Sequence, residues 1–376
     1  MDREKHKQYC ANLEISLKKG LVKKILRQRE GLEELSLEID GCAQKGLSFP
    51  QLTGPAETGD EVWVNTTAVD LKLGSGGRHF IAANLSRPER KEVKKGGHII
   101  KLRYTPLQLK VNTLEESFPE IFKEHDSIDG LPVIILELHS MLLPAVYTLK
   151  EALPGLKLTY IMTDGGALPL VLSEQVYYLK QEGLLDCTIT VGHAFGGDLE
   201  CVNIYTALLG AKHILGSDVA IIAMGPGIVG TGTVFGFTGI EQGENINRVG
   251  LLRGRAVTCP RISFLDSRSR HRGISHHSIT SFSRVAHFPA EIALPVVDGE
   301  RRSLLSRQLA EHNLPGIHKL TWHETGEITA GLSGLSFKVT SMGRTVSDDP
   351  YFFAAPAAAA KAVLNLIKDK KEERKC

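Results

Sequence analysis

Between Pro132 and Asp266, five short apolar runs recur, each closed by glycine, histidine or acidic residues: "PVIILEL", "KLTYIMTDGG", "DCTITVGHAFGGD", "DVAIIAMGPG" and "AVTCPRISFLD". Three helix-like stretches lie between them, "SMLLPAVYTLKEAL", "LPLVLSEQVYYLKQEGLL" and "LECVNIYTALLGAKHIL". Runs this short, apolar on every residue rather than on alternate ones, fit strands covered on both faces. Strand and helix in alternation imply parallel β-α units. The expected fold is α/β, with a parallel-sheet domain over residues 128–310. The repetition is of architecture, and no sequence repeat accompanies it.

The residues before this series have another period. "LEELSLEIDG" and "DEVWVNTTAVDL" alternate apolar with polar, and Asp40-Gly41 and Gly59-Asp60 mark turns. "GSGGRHFIAANL" and "HIIKLRYTPLQLKV" add strands, so residues 11–110 are expected to form a small β-barrel or sandwich, with "SRPERKEVKKGG" as a charged loop within it. Near residue 311 the α/β alternation is expected to stop. "GIHKLTWHET" and "GLSFKVTSMG" then look like strands. A final helix follows in "PYFFAAPAAAAKAVLNLI", with Pro356 in its first turn. Residues 311–369 would pack on one of the other domains.

At 376 residues, the chain exceeds what one core usually serves. Its net charge of +2 gives no global case for nucleic acid. The front is more basic: residues 1–110 hold 20 Lys and Arg against 14 Asp and Glu. Lys18, Lys19, Lys23, Lys24 and Arg27 could follow phosphates there. Cysteines at 10, 42, 187, 201, 259 and 376 form no C-x-x-C pair, which suits reduced thiols in a cytoplasm. The first ten residues hold no apolar signal segment. Val219 to Ile240 is free of charge over 22 positions, long enough to span a membrane. Its six glycines and Pro226 instead suggest a buried strand running into a loop.

Ligands of open parallel sheets bind beyond the carboxyl ends of the strands. His139-Ser140 follows the first run and Asp164-Gly165-Gly166 the second. His193 and Gly196-Gly197-Asp198 follow the third, and Gly225, Gly227, Gly230 and Gly232 the fourth. After the fifth come Arg268, Arg270, His271, Arg272, His276 and His277. These residues are expected on one rim. His193 and His276 would do acid/base work, Asp164 would orient one of them, and His139 would assist. The glycines would cradle an anionic group, which Arg270 or Arg272 would clamp. Each has a plainer alternative: Asp164 as a turn residue, Asp198 as a helix N-cap, His139 as a satisfied core histidine, the His/Arg stretch as a solvated loop.

"GPGIVG" matches G-x-G-x-x-G, but "TGTVFGFTG" opens no helix after it, so the reading is against NAD or FAD. His193, Asp164 and one loop histidine could together hold zinc, manganese or iron. Neither G-x-S-x-G nor a Walker A motif occurs.

"LTGPAETGDEVWVNTTAVDLKLGSGGRHF", "KLRYTPLQL", "MTDGGALPL", "TVGHAFGGDLE", "AMGPGIVGTGT", "FTGIEQGE" and "RHRGISHHS" together resemble a bacterial family known as domain of unknown function 3866. The resemblance covers roughly residues 15–345 and implies a bacterial, cytoplasmic protein. It implies no activity, cofactor or catalytic residue. The expectation is therefore an enzyme or binder of an anionic, phosphorylated or nucleotide-like small molecule, a hydrolase or transferase if it is catalytic. An RNA- or protein-binding module is the alternative. A homo-oligomer is left open, and no membrane partner is expected.

Overall fold

The structure, a computed structural model, describes residues 14–87 and 96–373. The chain divides into two compact units, Met1–Lys95 and Gly96–Cys376.

The first unit is a closed five-stranded barrel. Its strands are β1 (Leu17–Arg29), β2 (Leu32–Ile39), β3 (Cys42–Ser48), β4 (Glu61–Asn65) and β5 (Arg78–Asn84). They close in the order β1-β2-β3-β5-β4, with β3 and β5 parallel and the other pairs antiparallel. This is the strand order of an OB-type Greek-key barrel. β1 pairs with β4 through residues 17–21 and with β2 through residues 21–29. Two register shifts bend it between these tasks. The alternating side chains supply the core: Val22, Leu35, Leu37, Ile39, Val62, Val64 and Ile81.

The second unit opens with a hairpin, β6 (Ile99–Lys101) and β7 (Leu109–Val111). The parallel strands follow: β8 (Pro132–Ile135), β9 (Leu158–Thr163), β10 (Cys187–Thr190), β11 (Leu199–Glu200), β12 (Val219–Met224) and β13 (Arg255–Thr258). A small hairpin, β14 (Ile262–Ser263) and β15 (Gly273–Ile274), precedes β16 (Glu291–Pro295) and β17 (Lys319–His323). The eight-stranded sheet has the order β11-β10-β9-β12-β8-β13-β16-β17, and every pair is parallel. β9 and β12 are buried at every residue, as unbroken apolar runs require.

The connecting helices include α1 (Leu142–Ala152), α2 (Glu174–Gln181), α3 (Ile204–His213), α4 (Glu241–Leu251), α5 (His276–Thr280) and α6 (Gly299–Glu311). Right-handed crossovers place α1 and α2 on one face and α3 and α4 on the other. From β8 the chain moves outward to β9, β10 and β11. It returns to insert β12 beside β8, then moves the opposite way through β13, β16 and β17. The switch of direction falls at β9, β12 and β8, which is where such sheets open a crevice.

Three expectations need correction. The 99–111 strands belong to the second unit and not to the barrel, because Lys101, 1% exposed, reaches Thr190 O, Ala194 O and Glu200 Oε2. The alternation does not stop at 311: α6 leads into β17, which extends the sheet. Finally, of the second expected strand, 334–343, only β18 (Thr340–Ser341) is extended, paired with β19 (Arg344–Thr345) just after it, and helix α7 (Gly326–Ser333) comes immediately before. α8 (Pro350–Glu373) then begins at Pro350, so Pro356 lies inside it. By length and composition α8 could cross a membrane, yet 67% of its apolar window is buried. Its alanines let it lie close against α1 and the sheet. Val219 to Ile240, the stretch weighed as a span, is β12 followed by a loop and a short turn.

Candidate functional site

The rim residues gather into three neighbouring groups, which follow the strand order along the carboxyl edge. They do not form one concave spot.

The first group lies beyond β10 and β9. Asp164 Oδ2 accepts the backbone N–H of His193 at 3.0 Å, so it holds the chain and not the imidazole. Gly192 makes this possible. Its φ is +63°, and a Cβ there would sit 2.2 Å from Asp164 Oδ2. The His193 ring faces the hairpin after β6: Nδ1 accepts from the Leu102 N–H at 3.0 Å, and Arg103 lies 3.4 Å from Nε2. Asp164, expected to orient either His193 or His276, thus meets the His193 backbone and not its ring. Asp198 is no helix cap either. Its oxygens take Lys180 and Thr188, while Asn203 caps α3. Gly196 and Gly197 form the tight turn between β10 and β11, their N–H groups held by Glu200 and Thr190.

The second group lies at the switch point. The loops after β9 and β12 touch backbone to backbone. A Cβ on Gly166 would come within 2.3 Å of Gly225 O, and one on Gly225 within 2.3 Å of Ala167 O. Beside them opens a cavity of about 480 Å³, lined by His139, Ser173, Met224, Gly225, Gly227 and Ile228 among others. His139 Nε2 is 2.6 Å from Ser173 Oγ. Its Nδ1 is 3.1 Å from Met224 O, an acceptor only, so Nδ1 carries the proton and Nε2 accepts from Ser173. Ser173 is the N-cap of α2 and accepts from Val176 N–H. Burial lowers the His139 pKa to about 4 against a small opposing pull from the Met224 carbonyl, so the ring is neutral at pH 7.

Glu241 stands behind this group at the start of α4, 2.6 Å from Thr163 Oγ1. Burial raises its pKa to about 7, the Thr163 hydroxyl opposes, and nearby Asp164 adds to the rise. Such a carboxyl exchanges protons at neutral pH. Neither Ser173 nor Glu241 was among the sequence candidates. Ser173 reads as an ordinary helix cap, and Glu241 as one more polar residue after the glycine-rich run.

The third group lies beyond β8 and β13. The stretch that looked like a solvated loop splits in two: Arg268, Arg270 and Arg272 are exposed, whereas His271 and His277 are 2% and 6% exposed. One ring nitrogen from each of His271, His276 and His277 lies within 4.8 Å of the others. The glycine loop covers them. Phe237 stacks on His277 at 3.9 Å, Gly230 lies against its ring, and Gly232 against the Arg270 guanidinium. Glu137, 1% exposed, comes from the first apolar run. It accepts from Ser278 through Oε2 at 2.6 Å, and its Oε1 is 3.5 Å from His277 Nδ1. Burial lowers the pKa of His271 to about 3, helped by Arg261, Arg268 and the other imidazoles. The expected metal set of Asp164, His193 and a loop histidine is not assembled, since the loop histidines meet one another instead. Gln308 Nε2 donates to the Arg272 backbone carbonyl at 3.1 Å.

A cavity of about 540 Å³ also opens at the amino-terminal edge of the sheet, lined by Asp129, Asp218, Lys212 and Arg255 among others. That edge is not where parallel sheets bind ligands. No curated protein matches the chain. A family model described as protein of unknown function (DUF3866) matches residues 45–360, and the chain belongs to that family.

Proposed function

We propose that the cavity at the switch point binds a small molecule and carries out hydrolysis or group transfer on it, with Ser173 as nucleophile and His139 as its base. The observation that carries this reading is the 2.6 Å contact between Ser173 Oγ and His139 Nε2 in the wall of the cavity. The Ser173 proton passes to Nε2 as Oγ attacks an electrophilic carbonyl or phosphoryl centre. The bond to the leaving group breaks as Nε2 returns that proton to it. Water or an acceptor hydroxyl, deprotonated by Nε2, then takes the group from Oγ, which regains its proton. The Met224 carbonyl holds the imidazole in the tautomer this needs. The lining is mostly apolar and holds neither Lys nor Arg, which suits a ligand with an apolar body. An anionic end on that ligand would be met by Arg270 at the outer end of the glycine loop.

A fluorophosphonate probe tests the nucleophile. Intact mass should show one adduct on the wild-type chain, mapped to Ser173 and absent in Ser173→Ala. A chain that stays unlabelled over pH 6–9 would leave a binding protein without covalent chemistry. The depth of Ser173, 3% exposed, and the low basicity of His139 favour that outcome as the rival.

A second reading rests on the barrel. Lys19 and Trp63 are direct cross-strand partners and both are exposed, so they share one face of an OB-type barrel. A cation beside an aromatic plane suits single-stranded nucleic acid. Lys18 and Lys23 contribute less, being paired with Asp40 and Glu38. Retention on single-stranded RNA that falls with salt, and is lost in Trp63→Ala, would support it.

A further inference from the structure

We propose that His271, His276 and His277 form a binding site for a divalent transition-metal ion, with zinc as the best chemical fit. The proposal does not depend on the Ser173 reading, since these imidazoles lie outside the lining of that cavity.

Four observations carry it. First, the fold brings the three rings together from separate pieces: His271 ends the turn before β15, and His276 and His277 open α5. Second, the buried polar atoms here lack partners within the protein. They include Glu137 Oε1, His276 Nε2 and His277 Nδ1. Glu137 Oε1 and His277 Nδ1 face each other at 3.5 Å, so the atom left for an occupant is His276 Nε2, and buried polar atoms are normally satisfied. Third, the neighbours select the nitrogens. Ser275 Oγ sits 2.8 Å from His271 Nδ1, and Glu137 Oε1 faces His277 Nδ1. Both arrangements leave Nε2 of those rings for a metal, and His276 Nε2 is the orphan atom of its own ring. A carboxylate behind a histidine is the usual support of a metal-ligating imidazole. Fourth, the buried charge suits a cation. Glu137 is a buried carboxylate beside the cluster whose charge also acts on Arg261, although Arg261 makes its ion pair with Asp266, at 3.2 Å.

Three imidazoles and no thiolate suit zinc, copper, iron or nickel, and three histidines with an open fourth position are a catalytic zinc set. Zinc–nitrogen bonds of about 2.1 Å keep two ligand atoms on one ion within about 4.2 Å of each other. At tetrahedral angles the spacing is about 3.4 Å, so nitrogens that lie within 4.8 Å of one another here must close in by up to about 1.4 Å on binding. His276 is half-buried, while its Nε2 is itself buried within the cluster.

The test uses the full chain, stripped with a chelator and titrated with zinc chloride. Calorimetry and elemental analysis should give one equivalent per chain. His276→Ala and His271→Asn should each weaken binding by 30-fold or more without changing the melting temperature of the stripped protein. Glu137→Gln should weaken it by about 10-fold. Absence of binding in the wild type, or undiminished binding in both histidine variants, overturns the proposal. Should a variant fail to fold, X-ray absorption on the zinc-loaded wild type decides. A shell of three imidazole nitrogens supports the site, and a sulfur or all-oxygen shell sinks it.

Discussion

Asp60 in the barrel and Glu137 on the rim are both buried carboxylates, at 3% and 1% exposure, and they are treated very differently. Asp60 is fully employed. It accepts from Asn84 Nδ2 at 2.9 Å and Glu57 N–H at 2.8 Å, and from Arg87 Nε. Burial alone would raise its pKa, but these donors outweigh burial and hold it below the ordinary aspartate value. Glu137 has one hydroxyl on one oxygen and nothing within hydrogen-bond reach of the other. The first arrangement fastens a barrel loop. The second leaves a lone pair in the interior, and a fold tolerates that where something else binds. Burial of a charge is therefore no sign of function by itself; the state of its partners separates the two cases.

Glu241 offers the largest way to sharpen the contrast. Its carboxyl keeps a proton to about pH 7 in the fold, against an ordinary 4.5. Between those values the native state holds one more proton than the unfolded chain, so unfolding free energy falls as pH rises. The shift corresponds to about 3 kcal/mol, and Glu241→Gln should remove that slope. Asp60 should behave in the opposite sense. Its contribution is present above about pH 4 and lost as pH falls through the lowered folded value. Asp60→Asn should cost about 2 kcal/mol at neutral pH. The two tryptophans make the units separable, since Trp63 lies in one and Trp322 in the other. Urea unfolding of single-tryptophan variants from pH 2 to 8 should show a fall in Trp322-reported stability between about pH 4.5 and 7 that Glu241→Gln removes, and a fall in Trp63-reported stability below about pH 4 that Asp60→Asn removes. Parallel slopes would break the comparison.

The pattern of runs was enough to place the parallel strands, because a strand covered on both faces must be apolar at every residue. The barrel was legible from alternation for the mirror-image reason. Alternation does not name the partner strand, however, so residues 99–111 looked like more barrel until Lys101 proved to anchor beside β10, 89 residues away. β17 was missed as a sheet member because it is an edge strand with mixed exposure. On the rim, glycines and histidines pointed to the correct edge, but their grouping depends on strand order, which the sequence does not hold. Ser173 was hidden by its second task as a cap. Glu137 did leave a signal: "PVIILEL" has one charge inside an apolar run, and a buried acid there needs a reason.

The smallest effect is the most discriminating. In chelator, Glu137→Gln keeps an oxygen for Ser278 and removes a charge that has no direct cation. Its unfolding free energy, followed by Trp322, should stay within about 1 kcal/mol of wild type, well short of the Asp60→Asn loss. A change this small means that the fold does not depend on the carboxylate charge. Adding zinc should then separate the proteins, with wild type gaining more thermal stability than the variant, because an ion that binds only the folded chain stabilises it in proportion to affinity. If Glu137→Gln costs 2 kcal/mol or more without metal, Glu137 is a structural acid like Asp60, and the distinction between the two units fails.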